Sequence, residues 1–371
     1  MQNTGSTVYT DHLRHNLSVI RSLIPAKTEI CLAVKANAYG HGAPETAKTA
    51  EIAGVRWFGV ANTGEGIELR EAGIGSRIML FSLVLPDDIP RLIRYSITPV
   101  IADTAFIRRL EGHLPKNAPP YPVHCIIDTG MGRIGCQPEE SAALAEAVAA
   151  SKKLKLEGMC THFARADAGD TSFSEEQLRT FLDCISVIRN KRIDPGILHA
   201  ANSGAVIGLP ESHLDMVRPG IMAYGYYPSK EQERKLQLKP VMEFSSSVAF
   251  IKEVGPGTPV SYGSTYRTEK KTRIATVAAG YGDGYFRALS NKGQVCIRGK
   301  LYRVAGRVTM DQIMVDLGPD SGVELYDRAV LFGPEPPALS AEDIAELCGT
   351  IPYEVTCAVS KRVLREYKQA P

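Results

Sequence analysis

Along the chain, short apolar runs alternate with stretches whose apolar residues recur every three to four positions. The runs cover residues 29–34, 57–60, 77–80, 98–101, 123–127, 156–160, 197–199 and 215–217. Between them, residues 44–53, 66–72, 89–95, 104–110, 139–150 and 175–190 carry the helical spacing. Eight strands in alternation with helices predict an α/β protein whose N-terminal part is a (β/α)8 TIM-type barrel. A doubly wound open sheet is the alternative.

The texture changes after Tyr227. The segment PSKEQERKLQLKP is charged and ends in Pro240, and it reads as a connector with one helical turn. β-like runs follow at 243–254, 274–278, 295–297, 301–304, 313–316 and 329–332, separated by Gly- and Pro-rich turns. Helices are expected at 340–348 and at 360–367. This places a barrel over residues 1–237 and a mostly β domain over 238–371. The opening segment 8–16 can pack with either.

Composition narrows the class. Of 371 residues, 44% are hydrophobic and 23% charged, which fits a globular chain. The net charge of +2 gives no field for nucleic acid or an anionic membrane. No apolar run reaches the ~20 residues of a membrane helix, and MQNTGSTVYT does not read as a signal peptide. The eight cysteines form no CxxC pair, and buried free thiols in a reducing cytoplasm are expected.

The chemistry concentrates in AVKANAYGHG, where Lys35 directly follows the first apolar run. A Lys at a strand's end lies at a barrel mouth beside a low-dielectric core. Burial lowers an amine's pKa, and a neutral amine can attack a carbonyl. Tyr39 comes from the same loop. Arg133 follows the fifth run, His162 the sixth, Asn202 and Ser203 the seventh, and Arg218 with Gly220 the eighth. Barrel enzymes carry their chemistry on this rim and favour phosphate sites after strands seven and eight. Ser203 and the backbone N–H groups around Gly204 and around Gly220–Ile221 suit such an anion. Each residue alone also fits a structural role, as a cap, a core hydrogen bond or an ion pair. Their joint placement on one rim argues for a site.

The motifs AVKANAYGHG, DTGMGRIG, THFARAD, ANSGA, VRPGIMAYG, VSYGSTY, AAGYGDGY, VTMDQIMVD and IPYEV, in this order, resemble those of the alanine racemase family over nearly the whole chain. The AVKAN piece is shared with fold-III decarboxylases and small pyridoxal-phosphate carriers, where SYGSTY and GYGDGY are not expected. The resemblance implies pyridoxal 5'-phosphate as cofactor, no metal, and a cytoplasmic isomerase supplying D-alanine for peptidoglycan. It implies Lys35 as cofactor-holding residue and one catalytic base, with Tyr262 as the opposing base. Tyr39, Asn202, Ser203, Gly220, Ile221 and Tyr353 would bind the cofactor's phosphate end, Arg218 would face the pyridine nitrogen, and His162 would lie near the ring. Arg133, Met310, Asp311 and Tyr281 would meet the substrate, and Asp167, Arg287 and Arg307 would line the entry. It also implies a head-to-tail homodimer whose β domains complete each other's sites, with closure within one chain as the alternative.

Racemisation removes a proton from one face of the α-carbon and returns one to the other, which calls for two bases. A phenol titrates near ~10 in water, so Tyr262 needs cationic or hydrogen-bonding neighbours. A guanidinium opposite the pyridine nitrogen disfavours its protonation, which limits side reactions. Alanine is the expected substrate. A racemase for serine or a basic amino acid, and a fold-III decarboxylase, are the alternatives. Two positions depart from the family: Ile126 stands where a carbamylated Lys often orients the Arg of MGRIG, and Arg165 stands where a smaller residue is usual. A bound anion or a nearby carboxylate is expected to hold Arg133 instead.

Overall fold

The structure, a computed structural model, describes residues 4–232 and 236–370. The apolar runs form one parallel sheet of strands Glu29–Ala33, Trp57–Val60, Arg77–Leu80, Ile97–Thr98, Val100–Ile101, Tyr121–Ile126, Leu154–Cys160, Ile197–His199 and Met216–Val217. The last strand returns to the first, Met216 opposite Glu29 and Val217 opposite Ile30, so the sheet closes. That closure excludes the open doubly wound alternative. Pro99 splits one stave in two because it has no N–H for the ladder. Its carbonyl still accepts from the His124 N–H at 3.0 Å. Inside the barrel lie Cys31, Trp57, Met79, Val100, Ile126, Cys160 and Met216. Outside, helices such as Ala43–Ile52, Thr104–His113 and Ser172–Asn190 bury one stripe each against the strands.

The second domain is an eight-stranded sheet, mostly antiparallel, folded around the long strand Met242–Val254. That strand pairs with Thr272–Val277 and with Arg328–Phe332, and two register shifts bend it. The opening segment serves both parts. Gly5–Tyr9 is a strand of the second sheet, antiparallel to Met242–Val254 and parallel to Leu364–Lys368. The helix Thr10–Leu23 then packs on the barrel. Where a helix was expected at 360–367, the chain is the strand Leu364–Lys368. Its charged, alternating LREYK has no strong preference of its own, and pairing with Gly5–Tyr9 decides its form. The short helix Pro352–Ala358 was not foreseen. In the connector one turn forms at Lys230–Gln232, and residues 233–235 of the expected turn lie outside the described residues.

All eight cysteines are free; six are buried, Cys348 is half-buried and Cys357 is exposed. The thiol expectation therefore fails at Cys357, which lies on the barrel-facing helix Pro352–Ala358, within electrostatic reach of Lys35.

Asn16 joins the two parts. Its buried amide donates to the carbonyls of Ala223 (3.1 Å) and Lys239 (2.8 Å), and its oxygen accepts from the Lys239 N–H (2.8 Å). Asn16→Ala leaves these groups unpaired and should lower stability by about 1–3 kcal/mol, read as a drop in the urea midpoint. An unchanged midpoint would show that water replaces the amide freely.

Candidate active site

A cavity of about 430 Å³ opens at the C-terminal ends of the barrel strands. Lys35, Tyr39, Arg133, His162, Asp167, Asn202, Ser203, Arg218, Gly220, Ile221 and Tyr353 all line it, together with Ile126, Met79 and Phe81.

Lys35 enters through an unusual backbone. Ala36, Asn37, Ala38 and Tyr39 all have φ between 51° and 54°, a left-handed turn closed by Gly40 at φ 86°. Such residues cost about 1–2 kcal/mol each, and the surroundings hold them. Glu65 accepts from the N–H of Ala36 through Oε1 and from that of Ala61 through Oε2, both at 2.7 Å. Asn37 Oδ1 accepts from the Ala43 N–H at 2.9 Å. A Cβ on Gly40 would lie 2.0 Å from the Thr356 carbonyl oxygen. The turn brings Tyr39 into the same cavity, between the rings of Tyr224 (5.0 Å) and Tyr353 (5.8 Å). Burial, and then the Arg133 charge, hold the Lys35 amine below its ordinary pKa, against the opposing pull of Glu65.

Across the cavity Ser203 opens the helix Ser203–Gly208, with Asn202 Oδ1 capping the Ala205 N–H at 3.1 Å. Ser203 Oγ accepts from the Gly220 N–H at 2.8 Å. Gly220 is required here: a Cβ would sit 2.5 Å from the Tyr39 hydroxyl. The Ser203 and Tyr39 hydroxyls thus come together beside Gly220 at the first turn of this helix, whose opening N–H groups have no partner within the helix, and form a donor set for an anion.

Arg218 is buried beneath this cradle. It donates to His199 Nδ1 (2.6 Å), to the carbonyls of Thr161 (2.7 Å) and Ala200 (2.9 Å), and to His162 Nδ1 (3.3 Å). Burial and the charges of Arg218, Arg133 and Lys35 push the His162 imidazole down to about 3, so it is neutral.

Arg133 is exposed at the cavity mouth and has no ion pair among the described residues. Asp128, the carboxylate nearest in sequence, is occupied by the N–H groups of Gly130 and Gly132. The expected carboxylate partner is therefore not formed within the described chain. Ile126 is buried among apolar side chains of the barrel interior. Arg165 is exposed.

Six expected residues lie elsewhere. Tyr262 (73% exposed), Met310 (53%) and Tyr281 (43%) stand on the second domain, outside the cavity. Their loops are tied together: the Tyr281 N–H donates to Thr309 O, that of Gly282 to Met310 O, and Ser261 Oγ to Arg307 O. Asp311 is exposed and paired with Arg362, which also holds Asp283. Arg287 is exposed and Arg307 half-buried on this domain. Sequence reading overlooked Glu65, although Asn62 three residues ahead of it marks a helix start, and it gave no role to His199.

Comparison with known proteins agrees with this layout. Residues 8–228 match the family described as "Alanine racemase, N-terminal domain", and residues 241–367 match "Alanine racemase, C-terminal domain". An alanine racemase of Treponema denticola is 42% identical over 372 residues, covering 98% of each chain. The solved alanine racemase of Clostridium difficile 630 superposes with TM-score 0.95 at 37% identity, covering 99% of this chain and 96% of that one. That of Bacillus anthracis, solved with bound L-Ala-P, gives TM-score 0.93 at 34% identity over 100% and 96%. With both domains matched and every rim motif in its place, the chain belongs to the alanine racemase family.

Proposed function

We propose that this chain interconverts L- and D-alanine with pyridoxal 5'-phosphate, as a head-to-tail homodimer in the cytoplasm, and that the product feeds peptidoglycan synthesis. The observation that carries this reading is the cavity itself. An amine with lowered pKa stands at one end, a hydroxyl and N–H cradle at the other, and a donor-only guanidinium beneath. This donor set fits a phosphate-bearing aldehyde. Lys35 would hold the aldehyde carbon, and Tyr39, Ser203, Tyr353 and the Gly220–Ile221 backbone would hold the phosphate, with Asn202 fixing the local turn.

The bound cofactor supplies an electron sink for the substrate's α-carbanion. The remaining work belongs to the chain. Lys35 takes the α-proton on one face as a neutral amine, or returns one there as an ammonium. Tyr262 does so on the other, reaching the cavity from a second subunit; its exposure, shared by Met310 and Tyr281, supports that arrangement. Arg218 keeps its positive charge beneath the cavity and, being unable to accept a proton, would disfavour protonation of a pyridine nitrogen facing it. Neutral His162 accepts from Arg218 and keeps its plane. Arg133 binds the substrate carboxylate. Met310, Tyr281 and Tyr353 leave room for a small side chain, which favours alanine over serine or a basic residue. A panel of L-amino acids read by chiral chromatography tests the substrate, and carbon dioxide release tests the decarboxylase alternative.

Three outcomes are expected. Borohydride reduction of the loaded enzyme should bleach its visible band and fix the cofactor covalently on Lys35, located by peptide mass; the adduct on any other Lys removes the assignment. Tyr262→Phe should spare cofactor binding and lower turnover by roughly 10²–10⁴-fold. Mixing it with Lys35→Ala chains should restore activity, because one site of the heterodimer is then intact; subunit exchange without recovery would instead place both bases in one chain. Finally, bicarbonate at constant pH and ionic strength should leave activity unchanged, since Ile126 offers no amine for carbamylation. A rise would show that Arg133 is held in another way.

A further inference from the structure

Beneath the cavity a row of polar side chains crosses the otherwise apolar barrel. Arg218 Nη1 lies 2.6 Å from His199 Nδ1, and His199 Nε2 lies 2.8 Å from His124 Nδ1. His124 Nε2 in turn faces Glu157 Oε2 at 3.6 Å. That spacing is long for a hydrogen bond but close enough for an electrostatic contact, and Nε2 has no hydrogen-bond partner among the described residues. Arg77, at the start of its strand, closes the row by donating to the same carboxylate oxygen. His124 and His199 are fully buried, and Trp57 packs edge-on against His124 at 5.7 Å.

The row has one possible direction. A guanidinium only donates, so His199 must accept at Nδ1 and, when neutral, carry its proton on Nε2. That proton goes to His124 Nδ1, which forces the His124 proton onto Nε2, toward the Glu157 carboxylate. Burial, followed by neighbouring positive charge, lowers the pKa of His199, and burial outweighs Glu157 to lower that of His124, so both are neutral. Arg218 itself has no carboxylate partner among the described residues. A buried cation without an anion is costly, and Glu157 is the anion at the far end of its own row of side chains.

Two backbone features are built for this row. Val123 pairs with Leu156 but His124 pairs with Gly158, so Glu157 is the extra residue of a β-bulge that sets it beside His124. Gly158 leaves room for the imidazole: a Cβ there would lie 2.4 Å from His124 Nδ1.

We propose that Glu157, His124 and His199 are positioning residues for Arg218, a carboxylate and two imidazoles in fixed tautomers that orient the guanidinium and counter its charge from the opposite end of the barrel. The proposal rests on the reading of Arg218 as the group beneath the cofactor ring. Selective ¹⁵N-histidine labelling of the holoenzyme tests it first: His124 and His199 should both give the neutral Nε2–H tautomer between about pH 6 and 8. A cationic His199, or one protonated on Nδ1, overturns it. Glu157→Gln should then lower kcat by about three- to thirtyfold with KM little changed, and this loss should vanish in an Arg218→Ala background. Equal losses in both backgrounds overturn the proposal. Arg77→Met removes the ion pair but keeps the carboxylate, so kcat should stay near that of the parent; a loss matching Glu157→Gln would make the ion pair's structural role the cause and overturn the proposal. The wild-type imidazole signals decide the matter even if a variant fails to fold. Failure of the cofactor reading shows separately, as the lack of a visible band in the wild-type enzyme, and leaves the tautomers as stated.

Discussion

The left-handed turn after Lys35 is the constraint on which the site depends. Four consecutive residues at positive φ, none of them glycine, do not persist unless the surroundings fix them. The barrel supplies Glu65, which ties the ends of the first two strands together through one carboxylate. The second domain supplies the rest. Arg365 donates to the Gly40 carbonyl at 3.0 Å, the Thr356 carbonyl presses where a Gly40 side chain would be, and Tyr353 packs on Tyr39. The turn is thus the surface on which the C-terminal part docks, as well as the mount for the amine. Strain of about 1–2 kcal/mol per residue persists here because several independent contacts agree on one backbone conformation after Lys35.

Electrostatics in the cavity follow from the same crowding. Lys35, Arg133 and Arg218 are three positive groups with Glu65 as the acidic group near the amine. Arg133 lowers the tendency of Lys35 and of Arg218 to hold a proton, and all three lower that of His162. The site therefore disfavours protons on the amine and the imidazole, and its charge suits anions at the cradle and at the mouth.

Much of this was legible in the sequence where burial alone sets the pattern. Parallel barrel strands are covered on both faces, so runs such as 57–60 and 78–80 are continuously apolar and easy to place. Lys35, Ser203 and Arg218 were visible because each follows such a run. What stayed hidden depends on contacts between distant segments. Leu364–Lys368 becomes a strand through Gly5–Tyr9, at the other end of the chain. The bulge at Glu157 arises from a register that no local pattern encodes. Tyr262 and Met310 gave a motif but no position, since their loops meet only when the second sheet is folded, and even then they stand apart from the cavity.

The pairing of Gly5–Tyr9 with Leu364–Lys368 sets an order of assembly. Barrel strands join neighbours in the chain as synthesis proceeds, and Met216–Val217 can close the ring before most of the second domain exists. The strand Gly5–Tyr9, made before the barrel, waits until residues 364–368 have been made before both of its edges are covered. Loop closure of that length costs only modestly more entropy than a short one, but it is slow. Until then one edge of Gly5–Tyr9 stays unpaired, a template for misplaced strands. Residues 364–368 are those that retire it.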